Sequence, residues 1–183
     1  MNNKIISDLG KYESDHKSKR SSIVRILWYF TSLLIFQSYL FPFYKIKRRI
    51  LILFGAKIGA NLIIKPNVII KYPWNLVIGN NVWIGEHAWI DNLDVVTINN
   101  SVCISQSAYL LTGNHNYKSI NFDLITKPIV LHNGTWIGAK AIICPGVIVH
   151  SNAIVTVGSV LTKNAEPNKV YTGNPAIAIK ERI

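Results

Sequence analysis

Residues 131–161 read LHNGTWIGAKAIICPGVIVHSNAIVTVGSVL. Leu131, Ile137, Ile143, Val149, Val155 and Leu161 fall on every sixth position without interruption. Four residues after each of the first five stand Thr135, Ala141, Val147, Ala153 and Ser159, all small or β-branched. A period of six matches neither a 3.6-residue helix nor a two-residue strand alternation. It matches a chain that runs a short strand, turns a corner and repeats, so that three sides close a coil of about eighteen residues. Coils then stack at the strand spacing of about 4.8 Å. The aliphatic residue points into a triangular prism, and the small residue sits at the crowded corner. One coil cannot bury its own inner face, so stability has to come from stacking. The predicted fold is therefore mainly β, a parallel β-helix.

Upstream the same pattern continues at Ile98, Ile104 and Leu110, and, before a two-residue slip, at Ile78, Ile84 and Ile90. A looser copy carries Ile58, Ile64 and Ile70. Gly, Asn and Asp in IGNN, IGEH and IGAK suit the turn geometry of corners. Between Leu110 and Leu131 the rhythm stops, and the break opens with LLTGNHNY, residues 110–117. The expected organisation is an N-terminal polar lead and apolar, basic helical segment over 1–54. A β-helix over 55–170 follows, with a loop protruding at about 111–130, and then a C-terminal tail over 171–183.

The apolar segment Ile23–Phe43 contains one charge, Arg25, and runs into KIKRR at 45–49. A helix closed by Pro42 is expected there. Three placements stay open: packing on the rest of the protein, lying in an anionic headgroup layer, or spanning a membrane. Thr31, Ser32, Gln37 and Ser38 interrupt the span. The first twenty residues are polar and mixed in charge, without the apolar stretch of a secretory signal.

The chain has 183 residues, 49% of them hydrophobic and 16% charged, and carries a net charge of +11. The first 54 residues supply +7 of that excess. A basic field favours anionic partners such as phosphates, nucleotide cofactors or acidic lipid. Nucleic acid is not expected, since no helix-turn-helix, zinc-knuckle or RNA-binding aromatic signature accompanies the charge. Cys103 and Cys144 form no CxxC pair and read as small hydrophobes in a reducing compartment.

The sequence resembles the hexapeptide-repeat acyltransferases. The likeness runs through FGAKIG (54–59), IKYPWNLVIGNNVWIGEHAWIDN (70–92), VCISQSAYLLTGNHNY (102–117), FDLITKPIV (122–130), WIGAKAIICPGV (136–147), TVGSVLTK (156–163) and YTGNPA (171–176). The WIDN and TGNHNY wording is most similar to the colanic-acid-biosynthesis (WcaF-type) O-acetyltransferases. The resemblance implies a left-handed β-helix, a homotrimer with active sites between subunits, and acetyl-CoA lying along the coils. It implies a cytoplasmic enzyme that acetylates a sugar hydroxyl of a surface or exopolysaccharide intermediate. The apolar, basic composition of the N-terminal segment, not the resemblance, adds peripheral inner-membrane contact as an option.

On the same basis His115 is the catalytic base. An imidazole in reach of a hydroxyl takes its proton as it attacks the thioester, then returns it to the CoA sulfur. Acceptor contacts are expected from Asp91, Asn92, Asn114 and Tyr117, with the alternative that Asp91-Asn92 only makes a turn. For CoA the matching positions are Trp136, Gly138, Ala139, Gly158, Thr162, Lys163 and Lys180. Where related galactoside enzymes carry two C-terminal arginines, this chain has Ile177 and Lys180. Small residues would let pantetheine approach the backbone, and a lysine would meet a phosphate. His132 and His150, eighteen apart, should stack on one face. No metal is expected, because no third histidine shares their register. Two rival readings are a streptogramin-type drug acetyltransferase and a non-catalytic glycan-binding scaffold.

Overall fold

The computed structural model describes residues 6–12 and 20–183; the rest of the polar lead, 1–5 and 13–19, lies outside the described residues. Its body is a three-sided parallel β-solenoid. The first face stacks Lys57–Ile58, Leu76–Ile78, Val96–Ile98, Ile129–Leu131 and Ile148–Val149. The second begins with Ile63–Ile64, Trp83–Ile84, Cys103–Ile104, Trp136–Ile137 and Ile154–Val155, and the third runs from Ile69–Ile70 through Trp89–Asp91, Tyr109–Leu111 and Ile142–Ile143 to Val160–Leu161. The period-six aliphatics all point inward: Ile84, Ile90, Ile98, Ile104, Leu110, Ile137 and Ile143 are at most 1% exposed. The small corner residues from Thr135 to Ser159 are buried as well.

The eighteen-residue coil holds only beyond the break, where Leu131 pairs with Val149. Before it Ile58 pairs with Ile78 and Ile78 with Ile98, so these coils hold twenty residues. The slip after Ile90 and the looser spacing after Ile70 are one feature repeated. Both add residues at the corner joining the third face to the first, and the long break leaves from that same corner.

The other two corners turn on residues in the left-handed region: Asn61, Asn81, Ser101, Asn152 and Asn168 at one, Asn67, His87, Ser107 and Lys140 at the other. Asparagine tolerates that conformation, and its amide bonds one coil to the next. Asn61 Nδ2 donates to Asn81 Oδ1 at 2.8 Å, and Asn80 and Asn100 Oδ1 accept from the amides of Ala60 and Asn80, each at 2.7 Å.

Both ends of the stack are covered. Helix α1, Ser22–Thr31, starts from a Ser21 cap and continues as a π turn over Ser32–Phe36. The single helix expected up to Pro42 therefore ends early, and Pro42 lies in the connection to helix α2, Tyr44–Leu53. Trp28, Ser32 and Phe36 face the prism, and the Trp28 indole donates to the Ile70 carbonyl at 3.0 Å. Among the described residues no helix is long and apolar enough to cross a membrane. At the far end the expected tail is instead a hairpin, Lys169–Gly173 against Ala176–Glu181, added to the second face.

The basic run KIKRR is not one surface. Lys47 is wholly buried under α2, its Nζ 3.4 Å from the Lys65 carbonyl and 5.8 Å from the centre of the Phe36 ring. Arg48 donates to the carbonyls of Gly59 and Ile58. Only Lys45 and Arg49 of these cations face solvent. Burial pulls the Lys47 pKa down, so the unfolded chain holds that proton more tightly. Stability then rises with pH between the lowered folded value and the usual lysine value. Lys47→Met should melt higher than wild type at about pH 7 by a few degrees, and the gap should narrow by about pH 10. Melts across pH check both.

Candidate active site

The three insertions at the third corner are stacked and tied to one another. In the first, Pro73–Asn75 form a single helical turn. Asn92 in the second is wholly buried, its amide donating to the Tyr72 carbonyl at 2.6 Å and accepting from the Tyr72 amide at 2.9 Å. Asn75 donates to the carbonyls of Asn92 and Leu93. The third insertion is rooted by Thr112, buried, whose Oγ1 donates to the Asp91 carbonyl at 2.7 Å and accepts from the Asp94 amide at 3.1 Å. Asn92 therefore holds the corner together, its amide bonded to the Tyr72 backbone through both its nitrogen and its oxygen.

From Thr112 the chain leaves the prism as a β-hairpin, Gly113–His115 paired antiparallel with Leu124–Thr126. Its tip is closed by backbone bonds from Asn116 to Asp123 and from Phe122 to Ser119. His115 sits on the outgoing strand, half-buried, its ring stacked on Phe122 at 4.3 Å and 7°. Tyr12 meets it edge-on at 5.7 Å, held nearby by the Asp8 amide donating to the Ile120 carbonyl. His115 Nδ1 lies 2.8 Å from the Phe122 carbonyl. A carbonyl oxygen only accepts, so Nδ1 carries the hydrogen. In the neutral ring that leaves the Nε2 lone pair free to take a proton. Phe122 aims that carbonyl from a left-handed backbone, φ 53°, a strained conformation for an aromatic residue.

Asp91 forms the wall below. It is 7% exposed, with Oδ1 2.9 Å from Lys71 Nζ as an ion pair without an aligned hydrogen bond. The Tyr109 hydroxyl donates to Oδ2 at 3.4 Å, and its ring stacks on Trp89. Burial first, then the charge and hydrogen bond of Asp91, push the Tyr109 pKa up to about 12. That phenol stays protonated at neutral pH, and Lys71 and Tyr109 flank the two oxygens of the carboxylate. Asn114 is exposed, with its Oδ1 occupied by the His115 amide, and Tyr117 is exposed at the hairpin tip.

Among curated proteins, the chain is 36% identical over 157 residues to a protein of Escherichia coli K12 assigned as the colanic acid biosynthesis acetyltransferase WcaF, covering 86% of each. The chain belongs to the hexapeptide-repeat acetyltransferases, on the WcaF side of the family. It is 33% identical to the galactoside O-acetyltransferase of Escherichia coli K12 over 69% of this chain and 64% of that one. Among solved structures, galactoside acetyltransferase in complex with coenzyme A superposes with a TM-score of 0.78 at 25% identity, over 91% of this chain and 86% of that one. A hexapeptide-repeat acetyltransferase of Vibrio cholerae complexed with acetyl coenzyme A shares the fold, with a TM-score of 0.82, 21% identity and 96% of each chain covered. No protein-family model matches the chain.

The positions expected to hold CoA in this acetyltransferase divide between two corners. Trp136 lies on the outside of the second face, in one row with Ile154, Val170 and Lys180. Gly138, Ala139 and Gly158 make the corner beyond that face, and the Gly158 amide donates to the Ala139 carbonyl. Thr162 and Lys163 are exposed across the width of the third face, at the corner that also carries the His115 hairpin. His132 and His150 lie one coil above the other, as their spacing requires, with ring centres 5.0 Å apart and the planes tilted by 59°. Among the described residues no cluster of three or more side chains is suited to a metal.

Sequence reasoning missed Thr112, Phe122, Tyr12, Lys71 and Tyr109. Lys71 and Tyr109 were within reach, since each lies one coil away from the Asp91 strand. Thr112→Val should remove two hydrogen bonds and leave the Asp94 amide unpaired, lowering stability by about 1–3 kcal/mol. Because it loosens the root of the hairpin, it should lower kcat more than it raises KM for acetyl-CoA. Thermal melts and steady-state kinetics test both.

Proposed function

We propose that the protein transfers the acetyl group of acetyl-CoA directly to a sugar hydroxyl of a bacterial surface or exopolysaccharide glycan intermediate, with His115 as general base. The observation that carries this is the fixed tautomer of His115, donating through Nδ1 and open at Nε2. The acceptor oxygen attacks the thioester carbonyl carbon while its proton passes to Nε2. When the intermediate collapses the C–S bond breaks, and the same proton goes to the departing CoA sulfur.

An acyl-enzyme has little support. Burial pushes the thiols of both Cys103 and Cys144 up, which disfavours the nucleophilic thiolate. The division of the CoA positions between two corners supports a homotrimer, in which neighbouring copies supply one half each. Exposed Trp83 and Trp136 on the second face offer aromatic contact area for that packing. The acceptor is held by Lys71, Tyr109 and Asp91 at the wall and by Asn114 and Tyr117 from the hairpin. A reaction that draws on acetyl-CoA fits a cytoplasmic location.

The test is release of free CoA thiol from acetyl-CoA against a panel of sugars, nucleotide sugars and streptogramin antibiotics. Turnover is expected with a sugar and not with the antibiotics. Turnover with the antibiotics alone would make the protein a drug acetyltransferase. No turnover together with no thermal protection by acetyl-CoA would leave a glycan-binding scaffold, since any ligand of the native state raises its apparent stability.

A further inference from the structure

Helix α1 and the π turn that continues it are apolar on two sides. Trp28, Ser32 and Phe36 face the prism, while Ile23, Ile26, Leu27, Phe30, Leu33 and Leu34 form a second stripe at helical spacing and face outward. Leu27 is 56% exposed and Leu34 68%. Across a cavity shared with Val24 and Leu27 stands Leu53 of α2, 83% exposed, so the apolar surface continues from one helix to the other. A helix with two apolar faces needs a second apolar neighbour, and among the described residues this one has a neighbour on one side only.

Charge selects the occupant. Lys45 and Arg49 are exposed on α2 and line a cavity of about 530 Å³ with Tyr44 and Trp83, and Arg25 is exposed on α1. A second copy meeting this face would set cation against cation. An anionic lipid surface meets both the stripe and its basic border. The stripe spans twelve residues, about 18 Å of helix, which suits a helix lying in the headgroup layer and falls short of crossing the hydrocarbon core.

We propose that the outward face of α1 and the adjoining edge of α2 dock on an anionic lipid leaflet. Docking there also bears on the acceptor. Arg25, Tyr29 and Phe30 form one wall of a cavity of about 660 Å³, and Ile69, Lys71 and Tyr72 form another. Lys71 is the ion-pair partner of Asp91. The docked helix thus borders the acceptor corner, which would receive a glycan carried on a lipid, a consequence that rests on the acetyl-transfer reading above.

Flotation of the full chain with phosphatidylglycerol-containing vesicles, against phosphatidylcholine alone, tests the docking. Binding is expected only with the anionic lipid, weakening with salt. Lys45→Gln with Arg49→Gln should weaken it roughly fivefold per cation removed. Leu27→Glu with Leu34→Glu should abolish flotation without changing the melting temperature or thiol release with a soluble sugar. Wild-type protein that ignores the anionic vesicles, binds both lipids equally, or still floats with the paired glutamates would overturn the proposal. So would a larger oligomer that the glutamate pair takes apart, which would assign the face to a second copy. Thiol release in the absence of vesicles reports on acetyl transfer alone, so the two readings fail separately.

Discussion

Replacing His115 with alanine is expected to lower kcat by at least ~10²-fold, the lower end for removal of a general base. KM for acetyl-CoA and thermal protection by acetyl-CoA should stay close to wild type. Among the described residues the ring meets Tyr12 and Phe122, neither of them an expected CoA position. Alanine also removes the bond to the Phe122 carbonyl and the stacking partner of a strained residue, so a rearranged hairpin would give the same loss. His115→Gln separates the two. Its amide can donate to the same carbonyl, keeping the hairpin shape, but it takes up no proton at neutral pH. Both variants should be equally slow. If glutamine restores turnover to within a few-fold of wild type, the ring serves only to shape the hairpin, and another group accepts the proton.

The prism was legible because its signal is a repeat. Each inward aliphatic restates the same register, and one misplaced position does not disturb the others. The third corner was harder, for the opposite reason. Its insertions differ in length and share no period, so the extra residues after Ile70 looked like a loose copy, while those after Ile90 looked like a slip. Asn92 stood beside that slip as an acceptor ligand, and nothing in the period told that its amide bonds Tyr72, twenty residues away. Contacts between unlike loops leave no periodic trace. The hairpin is of this kind too: GNH and LIT carry no alternation to pair them, and Tyr12 reaches His115 from about a hundred residues upstream in the chain. In the N-terminal segment, composition predicted a helix correctly. The π turn at Ser32–Phe36 and the burial of Lys47 depend on how that helix meets the prism, which composition does not carry.

Gly138→Ala is expected to lower stability by about 1–3 kcal/mol, as overpacking a close-packed site does, or about 2–4 °C in Tm per kcal/mol for a chain of this size. The glycines of the IG pairs looked like turn residues, and Gly138 like room for pantetheine. Their positions give them a further role, in the stacking of one coil on the next. Left-handed backbone falls later, on Asn81, His87 and Lys140. A Cβ on Gly138 would lie 2.7 Å from the Thr156 carbonyl carbon and the Val157 nitrogen in the next coil, and one on Gly85 would lie 2.6 Å from the Gln106 nitrogen. Backbone cannot swing aside as a side chain can, so the coils must separate locally, and a stack held together only by its neighbours feels that directly. Gly158 is the contrasting case. A Cβ there meets nothing within 4 Å, and the difficulty is its φ of +67°, worth roughly 1–2 kcal/mol of strain for alanine. That open space is where a ligand has room to approach the backbone. Gly138→Ala should therefore lower Tm with little change in KM for acetyl-CoA, whereas Gly158→Ala should raise that KM beyond what its smaller Tm loss explains. A Gly138→Ala protein that melts like wild type but binds acetyl-CoA poorly would return that glycine to the cofactor and remove coil stacking as the reason for it.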